Sequence, residues 1–189
     1  MSGEGRGPTE DDEPPSAPRV VASSLLGHTV LVVGALFWLH ARDRTEALRE
    51  MAIGAHGPWL GLLVGAAAGC ALHGVVVALA ARTTVLATID HELRRFFAGI
   101  DGWAVDGVLL AGVLGEELLL RCAVQDAFGW PAGVAATVGL VIASGHRRLW
   151  LLAVLYASML GLLVETGFGL LGSSVANVIV NHLNLRRLS

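Results

Sequence analysis

The sequence predicts an all-α fold: a polytopic membrane bundle of about six transmembrane helices plus one interfacial amphipathic helix. Three observations carry this. Of 189 residues, 54% are hydrophobic and only 15% charged, whereas roughly a quarter of an ordinary soluble domain is charged. Six apolar runs are each about 17 to 25 residues long, enough for a hydrocarbon core of about 30 Å. Arginines gather in alternate loops, as basic residues retained in the cytoplasm do. The length suits a single domain. A net charge of -3 excludes a nucleic-acid partner, because phosphate binding needs clustered basic surface.

Residues 1–19 hold Pro8, Pro14, Pro15 and Pro18 and the acidic run Glu10-Asp11-Asp12-Glu13. Such a tail buries too little apolar surface to offset chain entropy and is expected to be disordered. It also lacks the basic start of a secretory signal, so the first apolar segment is expected to be retained. The transmembrane domain is 20–189, with spans at 20–40, 58–81, 103–126, 131–147, 149–166 and 168–185. Gly129, Pro131, Gly167 and Gly169 punctuate the later ones. Gly61, Gly65 and Gly69 recur every fourth residue in the second span, a spacing that lets helices approach closely in lipid. Between spans two and three, apolar positions 85, 86, 89, 93, 96 and 97 share one helical face, which predicts a helix lying in the interface. Cys70 and Cys122 read as small buried hydrophobes. Five Trp (38, 59, 103, 130, 150) mark span ends.

An even number of spans puts both termini on one side. That side collects Arg19, Arg82, Arg94, Arg95, Arg147, Arg148, Arg186 and Arg187; the other has Arg42, Arg44 and Arg49, offset by Asp43, Glu46 and Glu50. The expectation is a multi-pass protein of the plasma (inner) membrane with both termini cytoplasmic.

Chemistry concentrates in Gly115-Glu116-Glu117-Leu118-Leu119-Leu120-Arg121, midway along the third span. Charges at that depth cost about 2.5–3.5 kcal/mol each on insertion scales, so they must face the bundle interior and find partners. Glu117 and Arg121 stand at ion-pair spacing. Glu116 points about 100° away from Glu117 and lacks that partner, which suits a general base. His146 ends the fourth span, and Asn177 and Asn181 share one face of the sixth, with Asn184 near it. If the spans bundle, Glu116, His146, Asn177 and Asn181 converge on one polar cavity. The alternative is interhelical glue, but such bonds average about 0.6 kcal/mol, too little to favour two adjacent acids. His28 and His73 read as packed or hydrogen-bonded, and Asp106, Asp126 and Glu165 as reaching the interface.

Glu116-Glu117-x-x-x-Arg121 resembles the EExxxR signature of the CPBP family of intramembrane glutamic proteases, the Abi-like group that includes the CAAX prenyl endopeptidases; Gln125 stands where that family often has Gln. Ile142-x-x-x-His146 resembles its FxxxH motif, and Asn177-x-x-x-Asn181, running on to Leu183-Asn184-Leu185-Arg186, resembles its HxxxN motif. The likeness covers roughly 103–187. Ile142 and Cys122 are mild departures, for Phe and Gly; Asn177 in place of His is the serious one.

The resemblance implies hydrolysis of a peptide bond inside a helical cavity, in a prenylated or otherwise membrane-delivered peptide or protein. Glu116 with His146 activates water, Glu117 and Arg121 position the site, and Asn177 and Asn181 donate to the oxyanion. An Asn amide has two donors but cannot carry a proton as imidazole can. A catalytically silent scaffold or binding protein is therefore the alternative, and an ion or proton carrier using the two acids a third. A single imidazole beside two carboxylates is a poor zinc set, so no metal and no cofactor is expected.

Overall fold

The computed structural model describes residues 17–84, 88, 91, 94, 100, 102–145 and 147–188. Among them every regular element is a helix and there is no strand. The tail over 1–16 lies outside the described residues, as does the interfacial helix expected over 85–97 except for residues 88, 91 and 94. Helix α1 (Ala17–Ala41) begins two residues before the expected end of the tail. Pro18 lies in its first turn, where a missing N–H costs nothing.

A short α2 (Leu48–Ile53) leads into α3 (Pro58–Ala80), which also opens on proline. Helix α4 (Gly102–Glu117) runs on without a break into a π-helical segment, Leu118–Gln125, closed by the turn Asp126–Phe128. Next come α5 (Trp130–Ala143) and a 3-10 turn, Arg147–Leu149. Then α6 (Trp150–Leu163) passes into a π turn, Val164–Phe168, and α7 (Gly169–Leu188) ends the described chain. Gly167, at φ 85°, breaks the rod between α6 and α7, a left-handed conformation that glycine adopts without steric cost.

Three stretches are long and apolar enough to cross a membrane: Ala17–Ala41, Pro58–Ala80 and, across that break, Arg147–Arg187; Trp130–Ala143 is apolar but shorter. The exterior agrees with lipid as the solvent. Leu26, Phe37, Trp59, Leu63 and Trp103 are exposed, whereas Glu117, Arg121, Gln125, Ser173 and Asn177 are buried. The chain is a helical membrane protein by these marks. All five Trp sit at helix ends.

Helix α7 is the hub, with α2, α3, α4 and α6 all packed on it. Its tightest neighbour is α3, because the glycines at every fourth position remove the side chains between them. A Cβ at Gly65 would strike the carbonyl oxygen of Gly172, and one at Gly69 that of Ala176. Turning this face inward leaves Cys70, one residue and about 100° on, exposed, contrary to the expectation of burial; Cys122 is buried as expected. Helix α1 packs on α4 and the π segment, and α5 on α6 and the π segment. Ala35, Leu39, Leu118, Cys122, Ala123 and Leu170 form one core cluster there. Arg42 and Arg44 do not rely on the acids of their own loop. Arg42 Nη1 donates to Asp126 Oδ2 at 2.9 Å and Arg44 Nη2 to Asp126 Oδ1 at 2.7 Å, tying that loop to the end of the π segment.

Candidate active site

The two adjacent acids take different roles because adjacent residues on a helix point about 100° apart. Glu116 is half-buried and faces a cavity of about 490 Å³, within the range of small-molecule pockets. Glu117 is turned the other way and is 1% exposed. Among the described residues, the side-chain hydrogen bonds to this acid pair all fall on Glu117. Ser173 Oγ donates to its Oε2, and Asn177 Nδ2 donates to its Oε1 at 2.9 Å. Both donors come from α7, so Glu117 pins α4 to the hub.

Arg121 Nε lies 3.8 Å from Glu117 Oε2, the ion pair that the spacing predicts, although α7 supplies the closer partners. The π segment begins between the two residues, at Leu118; a single wide turn of this kind recurs at functional sites. Gly133 on α5 makes room for the guanidinium, since a Cβ there would lie 3.3 Å from Arg121 Nη1. Arg121 borders a second, smaller cavity, of about 200 Å³, with Gln125, Asp126 and Glu165. Gln125 Nε2 donates to Gly161 O and to Glu165 Oε1, both at 3.0 Å, which fastens the π segment to the far end of α6.

Asn181 lines the large cavity together with Glu116, so these two sequence candidates come together. Asn177 does not line it. That residue is 1% exposed and lies behind the wall, its Nδ2 donating to Glu117 and its Oδ1 accepting from Asn181 Nδ2 at 2.6 Å. With the amide nitrogen turned to Glu117, where the carboxyl oxygen accepts, its oxygen faces the other way. His146 lies outside the described residues.

Sequence reasoning passed over two members of this network. Ser173 extends the Asn177, Asn181 pattern one turn back at the same four-residue spacing, a signal that was there to be used. Tyr156 on α6 is the other. Its hydroxyl donates to Asn177 Oδ1 and accepts from Asn181 Nδ2 at 3.1 Å, and the residue lines the cavity. Nothing but its being the only tyrosine in the chain marks it out in an apolar run.

The remaining polar candidates are partnered or peripheral. His73 Nδ1 shares a hydrogen bond with Asn184 Oδ1 at 2.8 Å, and His182 Nδ1 lies 3.1 Å from Asp106 Oδ1. His28 lines the cavity beside Gly112. Among the described residues no three His, Cys, Asp or Glu side chains gather as a metal site would require.

The cavity walls are mostly apolar, formed by residues such as Val76, Leu109, Leu140, Leu152 and Leu185, with Thr137, Asn184 and Arg187 among the polar ones. A carboxyl and a carboxamide lining one largely apolar cavity, with a hydroxyl and further amide groups near them, suit base-assisted attack of water on a carbonyl. Compared with protein-family models, with curated proteins and with solved structures, the chain matches none.

Proposed function

We propose that the chain is a glutamate-dependent intramembrane endopeptidase of the CPBP kind, a six-span bundle of the cell membrane with both termini cytoplasmic. The observation that carries this reading is that Glu116 and Asn181 share one cavity while Glu117 is held behind it by α7. Of two adjacent acids, one is left free to react and the other is fixed in the frame.

A water in the cavity gives a proton to the Glu116 carboxylate as its oxygen bonds to the scissile carbonyl carbon. His146, by its place in the sequence motif, assists that transfer. The C–N bond then breaks, and the proton passes to the leaving nitrogen. Asn181 donates to the oxyanion of the tetrahedral intermediate. Glu117, Arg121 and Asn177 keep the helices in register. The apolar walls favour a substrate segment delivered from the membrane, a prenylated or otherwise hydrophobic peptide.

Replacing Glu116 with Ala is expected to abolish cleavage of an internally quenched apolar peptide, with the purified variant still folded by circular dichroism and inserted in vesicles. Cleavage at the wild-type rate rejects the assignment.

The buried, non-titrating amide at 177 favours a second reading, a catalytically silent protein that binds peptides in the same cavity. Under that reading the native chain cleaves nothing and Asn177→His gains hydrolysis. Under the first, the native chain is active.

A further inference from the structure

We propose that Tyr156 is a catalytic residue of this site, its phenolic O–H donating, beside Asn181, to the oxyanion of the tetrahedral intermediate; this rests on the hydrolase reading above. The resemblance implies two donors at positions 177 and 181, yet only Asn181 reaches the cavity. Asn177 Nδ2 is engaged on Glu117 Oε1 at 2.9 Å, and Asn177 does not line the space where a substrate sits. Tyr156 does, and its oxygen is hydrogen-bonded to both asparagines. The other hydroxyl in the wall, on Thr137, is turned back to the Gly133 carbonyl at 2.9 Å.

The resting network lets the phenol change acceptor at little cost. Asn177 Oδ1 accepts from Tyr156 and also from Asn181 at 2.6 Å. When the Tyr156 O–H swings to an oxygen in the cavity, Asn181 turns the N–H it gave Tyr156 to the same oxygen and keeps the other on that buried carbonyl, so no polar group is stranded. A neutral substrate carbonyl offers the phenol no more than Asn177 already does. An oxyanion offers more, because hydrogen bonds to charged acceptors are roughly twice as strong. The switch is therefore driven only as charge develops, which makes it an interaction of the transition state rather than of the bound substrate.

The test uses the full chain in detergent or vesicles, internally quenched apolar peptides as substrates, and an apolar dipeptide phosphinate as an anionic tetrahedral mimic. Tyr156→Phe is expected to lower kcat by about 10²–10³-fold, the loss typical of one oxyanion donor, with KM little changed. Since the chain has one tyrosine, biosynthetic 3-fluorotyrosine labels this hydroxyl alone. Its fluorine resonance is expected to shift when the phosphinate binds and to stay in place with the matching amide. A merely structural tyrosine gives neither the kcat-specific loss nor that shift.

Glu116→Gln runs in parallel. Loss of activity there with kcat retained in Tyr156→Phe overturns this inference and leaves the hydrolase reading standing. Activity retained in Glu116→Gln, or no cleavage by the wild type, removes both. Should Tyr156→Phe fail to fold, the fluorine experiment on the unmutated chain decides: an unmoved resonance overturns the proposal.

Discussion

Asn177 donates to Glu117 on one side and accepts from Tyr156 and Asn181 on the other. A neutral imidazole has the same polarity, one ring nitrogen donating and the other accepting. A histidine could therefore be wired in the same way here, and the carboxamide gives up only the ability to take a proton. Asn177→Ala leaves Glu117 Oε1 and the Tyr156 hydroxyl each short of a partner in a buried setting. Stranded groups of this kind cost about 1–3 kcal/mol. The expected result is a lower unfolding midpoint in detergent titration, with Ser173→Ala behaving alike. Because both donors converge on one carboxylate, the double variant should depart from additivity, as contacting residues do. Additive losses would mean that Ser173 and Asn177 do not share Glu117.

The close approach of α3 to a neighbour was legible in the sequence because its cause is composition, glycine at 61, 65 and 69; that the neighbour is α7 was not. The all-helical class was legible for a similar reason, since the long apolar runs lie between polar or glycine breaks. The π segment was not. It is made of Leu118, Leu119, Leu120, Arg121, Cys122, Ala123, Val124 and Gln125, residues that suit an α-helix equally well, and the extra residue per turn leaves no mark in their order. The direction of the Asn177 amide was hidden too, because it is set by the carboxylate across the interface. A matched pair of substitutions tests the packing. Gly65→Ala puts a methyl group against the Gly172 backbone, which cannot move aside without shifting α7; Gly74→Ala points into open space. Overpacking typically costs about 1–3 kcal/mol, so Gly65→Ala should lower the unfolding midpoint clearly and Gly74→Ala should not. Equal midpoints would place α3 and α7 farther apart than described here.

At the scale of the whole molecule the open question is parity, and it turns on α5. At 14 residues this helix spans roughly 21 Å at 1.5 Å per residue, short of a hydrocarbon core of about 30 Å. Packing argues that it nevertheless crosses. It lies against α6 and the π segment, and its Thr137 and Gly133 face the buried polar centre. A short span is accommodated by local thinning at a fraction of a kcal/mol per Å. Charge argues the same way, because Arg147 and Arg148 follow α5 directly and are cheaper to retain in the cytoplasm than to move across. If α5 crosses, Thr45 in the loop after α1 and Ser144 after α5 lie on opposite faces of the membrane. Both positions are exposed, Cys122 is buried, and Cys70 can be replaced by Ala. In that background Thr45→Cys should react with an impermeant maleimide on intact bacterial spheroplasts, and Ser144→Cys only after the membrane is opened. Labelling of both from outside would mean that α5 re-enters rather than spans. The proposed site would then have to be drawn against a bundle of five crossings, with the α7 end on the opposite face.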